Sequence, residues 1–197
     1  MTDTQWPRFE VFEQERAGQP HRNTGAVHAP DPELALQNAR DVFVRRPECA
    51  SLWVAPASQI YARTAQQLAD DHDWQSETLL LARRPEPWEV FQKQTHRQTE
   101  TYVTHAGQVV ARSPAEALRL AMAQYGGQGA NVWWLVPARA VVRSAPGDAD
   151  SLFGAARDKP YRQPNFYHVL TQMRDFKLSD PDADPDGEPD DSSAVAA

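Results

Sequence analysis

SLWVAPA, Ser51 to Ala57, is written a second time as VWWLVPA, Val132 to Ala138. Laid one over the other, Trp53 falls on Trp134 and Pro56 on Pro137, an offset of 81 residues. Other landmarks keep nearly that spacing. Glu10-Val11-Phe12 matches Glu89-Val90-Phe91 at 79, and Pro32 with Ala35-Leu36 matches Pro114 with Ala117-Leu118 at 82. Landmarks in one order, drifting by at most three residues, mark an internal duplication, and a repeat settles the architecture before any element is assigned.

Working outward from the repeated stretch gives the content of each copy. Phe9 to Phe12 alternates apolar and charged residues, the period of a half-buried strand. Gln14 to Pro20 holds Gly18 and Pro20 and reads as a hairpin turn, and His21 to Ala29 returns as a second strand in which Gly25 could form a bulge. Asp31 before Pro32 is a helix start, a capping carboxylate followed by a proline at the first helical position. Leu36, Ala39 and Phe43, with Ala35 and Val42 beside them, recur at helical spacing. Arg45 and Arg46 suit a last turn, and Pro47 a stop. The second copy runs strand (Trp88 to Gln94), strand (about Tyr102 to Ala111), helix (Pro114 to Tyr125) and strand (Val132 to Val136). Ser113 with Glu116 forms a capping box, and Ala117, Leu118, Ala121, Met122 and Tyr125 make an apolar stripe.

The reading is therefore α+β: two ββαβ repeats forming a pseudo-dimer of antiparallel-rich sheets with helices on one face. The expected divisions are a first repeat at 1–61, a partly helical connector at 62–84, a second repeat at 85–144, a C-terminal docking segment at 145–178 and a disordered acidic tail at 179–197. Trp133 and Trp134 must point to opposite faces of the last strand, so at least one of them cannot lie under its own helix. Burial between the copies is expected for one of the two.

Charge and composition exclude several classes. The chain of 197 residues has a formal charge of −7, but residues 179–197 hold six Asp, one Glu and no Lys or Arg. The rest carries 20 basic against 20 acidic residues. A neutral body lacks the basic excess that nucleic-acid binding requires, and the Asp-Pro tail has nothing to bury. No apolar run reaches membrane-spanning length, the N-terminus has no secretory pattern, and Cys49 is the only cysteine. A cytoplasmic protein without disulfides is the expectation.

The search for chemistry returns mostly negatives: no Gly-rich phosphate loop, no GxSxG, no HExxH, no CxxC and no ExxH. His21 and His28 stand seven residues apart on one expected strand, so they face opposite sides unless a bulge at Gly25 turns one of them. A structural or interface role is preferred for both over a metal site. Asp70-Asp71-His72-Asp73 could be drawn as a metal cluster but reads better as a solvated loop end. Tyr161 to Tyr167 (YRQPNFY) lies beyond both repeats, where a chain would normally fray, yet carries three aromatics, an Arg and a Pro, the residue types of a docking segment. Folding back on its own sheet is the competing reading.

These residues carry a resemblance. Trp6-Pro7 with Glu10-Val11-Phe12, His21-Arg22, Gly25 and His28-Ala29, Asn38-Ala39-Arg40-Asp41 with Arg45-Arg46, and Trp53-Val54 resemble the B subunit of bacterial phenylacetyl-CoA epoxidase, the PaaB family. Asp158-Lys159-Pro160-Tyr161-Arg162-Gln163-Pro164-Asn165-Phe166-Tyr167 is similar to the family's C-terminal motif. The two blocks cover about residues 5 to 61 and 151 to 167. Family members usually carry one unit, so the second copy is extra, and His168-Val169-Leu170-Thr171 departs from the family's ending.

The resemblance implies a non-catalytic bridging subunit of a di-iron monooxygenase complex that epoxidises phenylacetyl-CoA. Its implied partners are the catalytic di-iron oxygenase subunit, that subunit's helical structural partner, and the flavin and iron–sulfur reductase. No cofactor is expected in this chain; di-iron, flavin and iron–sulfur centres would sit in the partners. Partner contacts are expected at Tyr161, Arg162, Pro164, Phe166 and Tyr167, with His21, Arg22, His28 and Trp53. The alternative is a small-molecule-binding or regulatory α+β module with a ligand between the copies. A stand-alone enzyme using His21 or His28 is a third reading.

Overall fold

Each copy forms its own hairpin, and a helix then crosses back over it. In the computed structural model the described residues are 6–45, 49–71, 74, 84–93, 102–126, 129–158, 172 and 174–176. The chain divides into two units, Met1–Asp158 and Lys159–Ala197. In the second, residues 172 and 174–176 are helical.

The first unit contains β1 (Arg8–Gln14), β2 (Arg22–His28), α1 (Pro32–Phe43), β3 (Ser51–Pro56), β4 (Tyr61–Thr64), α2 (Ala65–Asp70), β5 (Glu86–Lys93), β6 (Thr104–Ala111), α3 (Pro114–Tyr125), β7 (Val132–Pro137), β8 (Val142–Arg143) and α4 (Ala149–Phe153). The eight strands make one sheet in the order β4-β7-β5-β6-β2-β1-β3-β8, and every pairing is antiparallel. The architecture is α+β.

Both long helices start as their sequences require. Asp31 accepts a hydrogen bond from the Leu34 N–H at 2.8 Å, and Ser113 accepts one from the Glu116 N–H at 3.1 Å, each with proline at the first turn. The Glu116 carboxylate reaches back to the Arg112 N–H, one residue before the cap, so the expected capping box is displaced. A reciprocal box does form at α2, between Thr64 and Gln67. Helix α1 ends at Phe43, leaving Arg45 beyond it. Arg46 and Pro47 lie outside the described residues.

The faces of the sheet are divided cleanly. Phe9, Val11, Leu52 and Val54 pack with Ala35 and Ala39 under α1. Trp88, Val90, Trp133 and Leu135 pack with Ala117, Leu118 and Ala121 under α3. The third cluster contains no residue of α1 or α3 and joins both copies: Phe12, Ala55, Phe91 and Val136, with Trp53 and Trp134 partly buried against them. Trp133 is thus beneath its own helix while Trp134 faces the third cluster, as alternation along a strand demands. Phe12 and Phe91 stack at 4.1 Å although β1 and β5 stand three places apart, about 14 Å along a flat sheet. The sheet must therefore curl around this cluster.

Two details differ from the expected stripes. Val42 and Met122 are exposed, and Phe43 and Tyr125 are the residues that turn inward, each against a glycine. Both hairpins shift register by a bulge, between Val11 and Phe12 opposite Gly25, and between Val90 and Phe91 opposite Gly107. The glycines have φ of 141° and 149°, a backbone that side chains rarely adopt. At Gly107 an added Cβ would meet the Tyr125 hydroxyl at 2.3 Å, and at Gly25 it would meet Phe43 at 2.8 Å.

Candidate functional site

Period-two alternation sends Glu10 and Glu89 to the face away from the helices, and both are buried there. A buried carboxylate must be paired, and the two copies solve this differently. Glu10 takes a hydrogen bond from Asn23 Nδ2 at 3.1 Å and an ion pair with Arg8 at 2.6 Å. Glu89 binds His105 Nε2 at 2.8 Å, Gln108 Nε2 at 3.0 Å and the Arg143 guanidinium at 2.6 Å. The ladders place Asn23 opposite Phe12 and His105 opposite Phe91, so histidine in the second copy replaces asparagine in the first. Burial would raise the Glu89 carboxyl, but the hydrogen bond and charge of His105, the Gln108 amide and the charge of Arg143 outweigh it and hold the pKa below the ordinary value.

His21 and Trp53, two of the residues expected to meet partners, join this cluster. The His21 ring stacks on Trp53 at 3.7 Å, the Arg143 guanidinium lies 4.8 Å from the same indole, and His105 meets its edge at 5.2 Å. His21 is 7% exposed, and its Nε2 is buried with no hydrogen-bond partner among the described residues. Burial, with His105 and Arg143 adding to it against the opposing Glu89, lowers its pKa to about 4, so it is neutral at pH 7. Arg22 is close by in the ladder, exposed and opposite Thr104 where β2 meets β6. His28 is not part of the group. It sits exposed at the far end of β2, its Nδ1 2.8 Å from the Trp6 carbonyl oxygen. Tyr161, Arg162, Pro164, Phe166 and Tyr167 lie outside the described residues.

Sequence reasoning missed Glu10, Asn23, Glu89, His105, Gln108 and Arg143 as members of a site. The signal was present in the repeat itself, since a glutamate recurs between two apolar residues in both copies of Glu-Val-Phe. A charge kept inside a strand on a face that must be covered calls for a partner.

As arranged, Glu89, His105, Gln108 and Arg143 tie β5, β6 and β8 together, with Arg143 over the β3 indole, rather than standing free as acid, base or nucleophile. Cys49 is equally unreactive, pushed up to about 12 by burial and the adjacent Glu13. Among the described residues no three His, Cys, Asp or Glu gather as a metal site, and no helix is long and apolar enough to cross a membrane. Elsewhere a surface cleft is lined by Tyr61, Trp88, Arg112 and Arg139, the last ion-paired with Glu86. Arg143→Ala is expected to cost about 1–2 kcal/mol in urea unfolding at pH 7, because Glu89 loses its permanent cation but keeps two donors, and Arg143 is partly solvated. Because Arg143 depresses both Glu89 and His21, its loss should also shrink the fall in stability between pH 7 and pH 4. Unchanged unfolding at both pH 7 and pH 4 would show the ion pair to be idle.

Comparison with known proteins adds a decisive observation. The model of the phenylacetic acid degradation B (PaaB) family matches residues 5–76 and again 85–174. The chain belongs to that family. The match extends past the two blocks legible by eye, through residues 62–76 and across the second copy. A curated relative, the B subunit of the 1,2-phenylacetyl-CoA epoxidase of Escherichia coli (strain K12), is 41% identical over 73 residues, 37% of this chain and 77% of the relative. No solved structure matches.

Proposed function

We propose that this chain is a B subunit of a multicomponent phenylacetyl-CoA 1,2-epoxidase in aerobic phenylacetate degradation. It would work in the cytoplasm as a non-catalytic bridge between the di-iron oxygenase subunit and that subunit's helical partner. The observation that carries this is the family match on both halves, together with a relative that is itself the B subunit of such an epoxidase. The site geometry agrees, since Glu89, His105 and Arg143 are engaged with one another across the strands. The flavin and iron–sulfur reductase would be a further partner, and the metal and redox centres would belong to the partner chains.

The two ββαβ copies would act as a pseudo-dimer, one polypeptide standing in for two single-unit subunits. Supporting this, every strand pairing of one copy has a counterpart in the other at an offset of 79 to 82 residues.

Co-expression with the oxygenase subunit and its helical partner, followed by size-exclusion chromatography with light scattering, tests both points. The expected result is co-elution, and a monomer when the chain is run alone. Tyr161→Ala with Phe166→Ala should abolish co-elution if the C-terminal segment docks the partners. Retained co-elution would move the contact to the sheet. No co-elution of the parent chain would sink the proposal, and a thermal shift with phenylacetyl-CoA in isolation would then favour a ligand-binding module.

A further inference from the structure

Beyond its third strand, each copy leaves itself. After β3 the chain passes through a turn at Ala57–Gln59 into β4, α2 and on to Trp74. After β7 it passes through the matching turn at Ala138–Ala140 into β8 and α4. These two arms cross over. β4 pairs with β7, Tyr61 opposite Leu135 and Ala62 opposite Trp134. β8 pairs with β3, Val142 opposite Val54 and Arg143 opposite Trp53. Adding 81 to the first-copy members, Trp53, Val54, Tyr61 and Ala62, gives the second-copy members, Trp134, Leu135, Val142 and Arg143.

The arms also complete each other's cores. Trp74, 5% exposed, packs with Tyr61 and Leu68 into the cluster beneath α3. Phe153, 1% exposed, and Ala156 pack into the cluster beneath α1. By contrast, the two hairpins share little backbone. Arg22 pairs with Thr104, flanked by the Asn23 N–H to the Val103 carbonyl at 2.9 Å and the His105 N–H to the His21 carbonyl at 2.8 Å.

We infer that the exchanged arms are the surface that couples ββαβ units. Each unit offers a socket, made of the outer edge of its third strand and the apolar cluster beside its helix, whose fitting partner is the arm of another such unit. The inference rests on reading the two copies as a pseudo-dimer. An unfilled socket would leave a bare strand edge and an open core, both strong drives toward pairing. In this chain each copy fills the other's socket, so the covalent link between them is dispensable once the fold is made.

The test uses the full chain with a protease site inserted between Ser76 and Glu77, cut after folding. Both fragments are expected in one size-exclusion peak at the volume of the uncut protein, at micromolar concentration. Two separate peaks would overturn the inference. Ala62→Pro with Arg63→Pro in the same background probes the arm directly. Successive N–H groups of a strand point to opposite sides, so one of the two must face β7, and proline removes both donors. The cut, substituted chain should separate into two peaks while its uncut form stays folded. A single peak would place the coupling in the third cluster and overturn the role given to the arm. Should the uncut double variant not fold, Trp74→Ala replaces it, with the same two outcomes. No oxygenase is present in this assay, so its failure and a failure of co-elution are read separately.

Discussion

Gly107→Ala is expected to lower the free energy of unfolding by about 3 kcal/mol, combining backbone strain with overpacking. The residue sits at φ 149°, and its missing Cβ is the space occupied by the Tyr125 hydroxyl, 2.3 Å from where that carbon would be. The ring cannot simply swing away. Its hydroxyl donates to the Gln108 carbonyl oxygen at 3.1 Å, and its body packs against the cluster beneath α3. Urea unfolding of Gly107→Ala, Tyr125→Ala and the double variant separates the two causes. The clash should vanish in the double variant and leave the strain, so the losses should fall short of additive by about 1 kcal/mol or more. Strict additivity would mean that the ring never resisted the methyl group. Gly25→Ala, facing Phe43 at 2.8 Å, should follow with a smaller loss.

Acid should weaken the protein through His21. Its folded pKa of about 4 lies below the unfolded value of 6.5, so between those limits the unfolded chain binds the extra proton. Stability from this residue is fully present above pH 6.5 and is lost as pH falls toward 4, by about 3 kcal/mol at the lower limit. Glu89 is depressed too, so its contribution is present above 4.5 and lost on further acidification, below most of the histidine window. His21→Phe keeps a flat ring against Trp53 and removes both the titrating group and the unpartnered Nε2. Its unfolding free energy should be nearly level from pH 6.5 to 4.5, and within about 1 kcal/mol of the parent above pH 7. A variant that falls in parallel with the parent would assign the titration to another group.

The cluster that gives His21 this behaviour was only half legible. His21 and Trp53 stood out because of their motifs. His105, 16 residues from Glu89, and Arg143, 54 residues from it, could be joined to that carboxylate only by strand pairing. The same limit explains the missed strands. Tyr61–Thr64 stood where the first repeat was expected to give way to a helical connector, and Val142–Arg143 at the end of the second repeat, past its last expected strand. Neither is long enough to show a period of its own. They are strands because β7 and β3 offer them open edges.

By itself the sequence determined what depends on near neighbours and repetition. That comprises the hairpins, the two helix starts at Asp31 and Ser113, the repeated pattern and the family. Alternation, capping and backbone preference act over a few residues, and a repeat doubles their signal. Tertiary structure alone decided which way Val42 and Met122 face, how the buried carboxylates are paired, and that each copy is finished by the other's arm. Those outcomes depend on which surfaces meet across 50 to 90 residues of chain, and solvent exclusion between such surfaces leaves no local pattern to read.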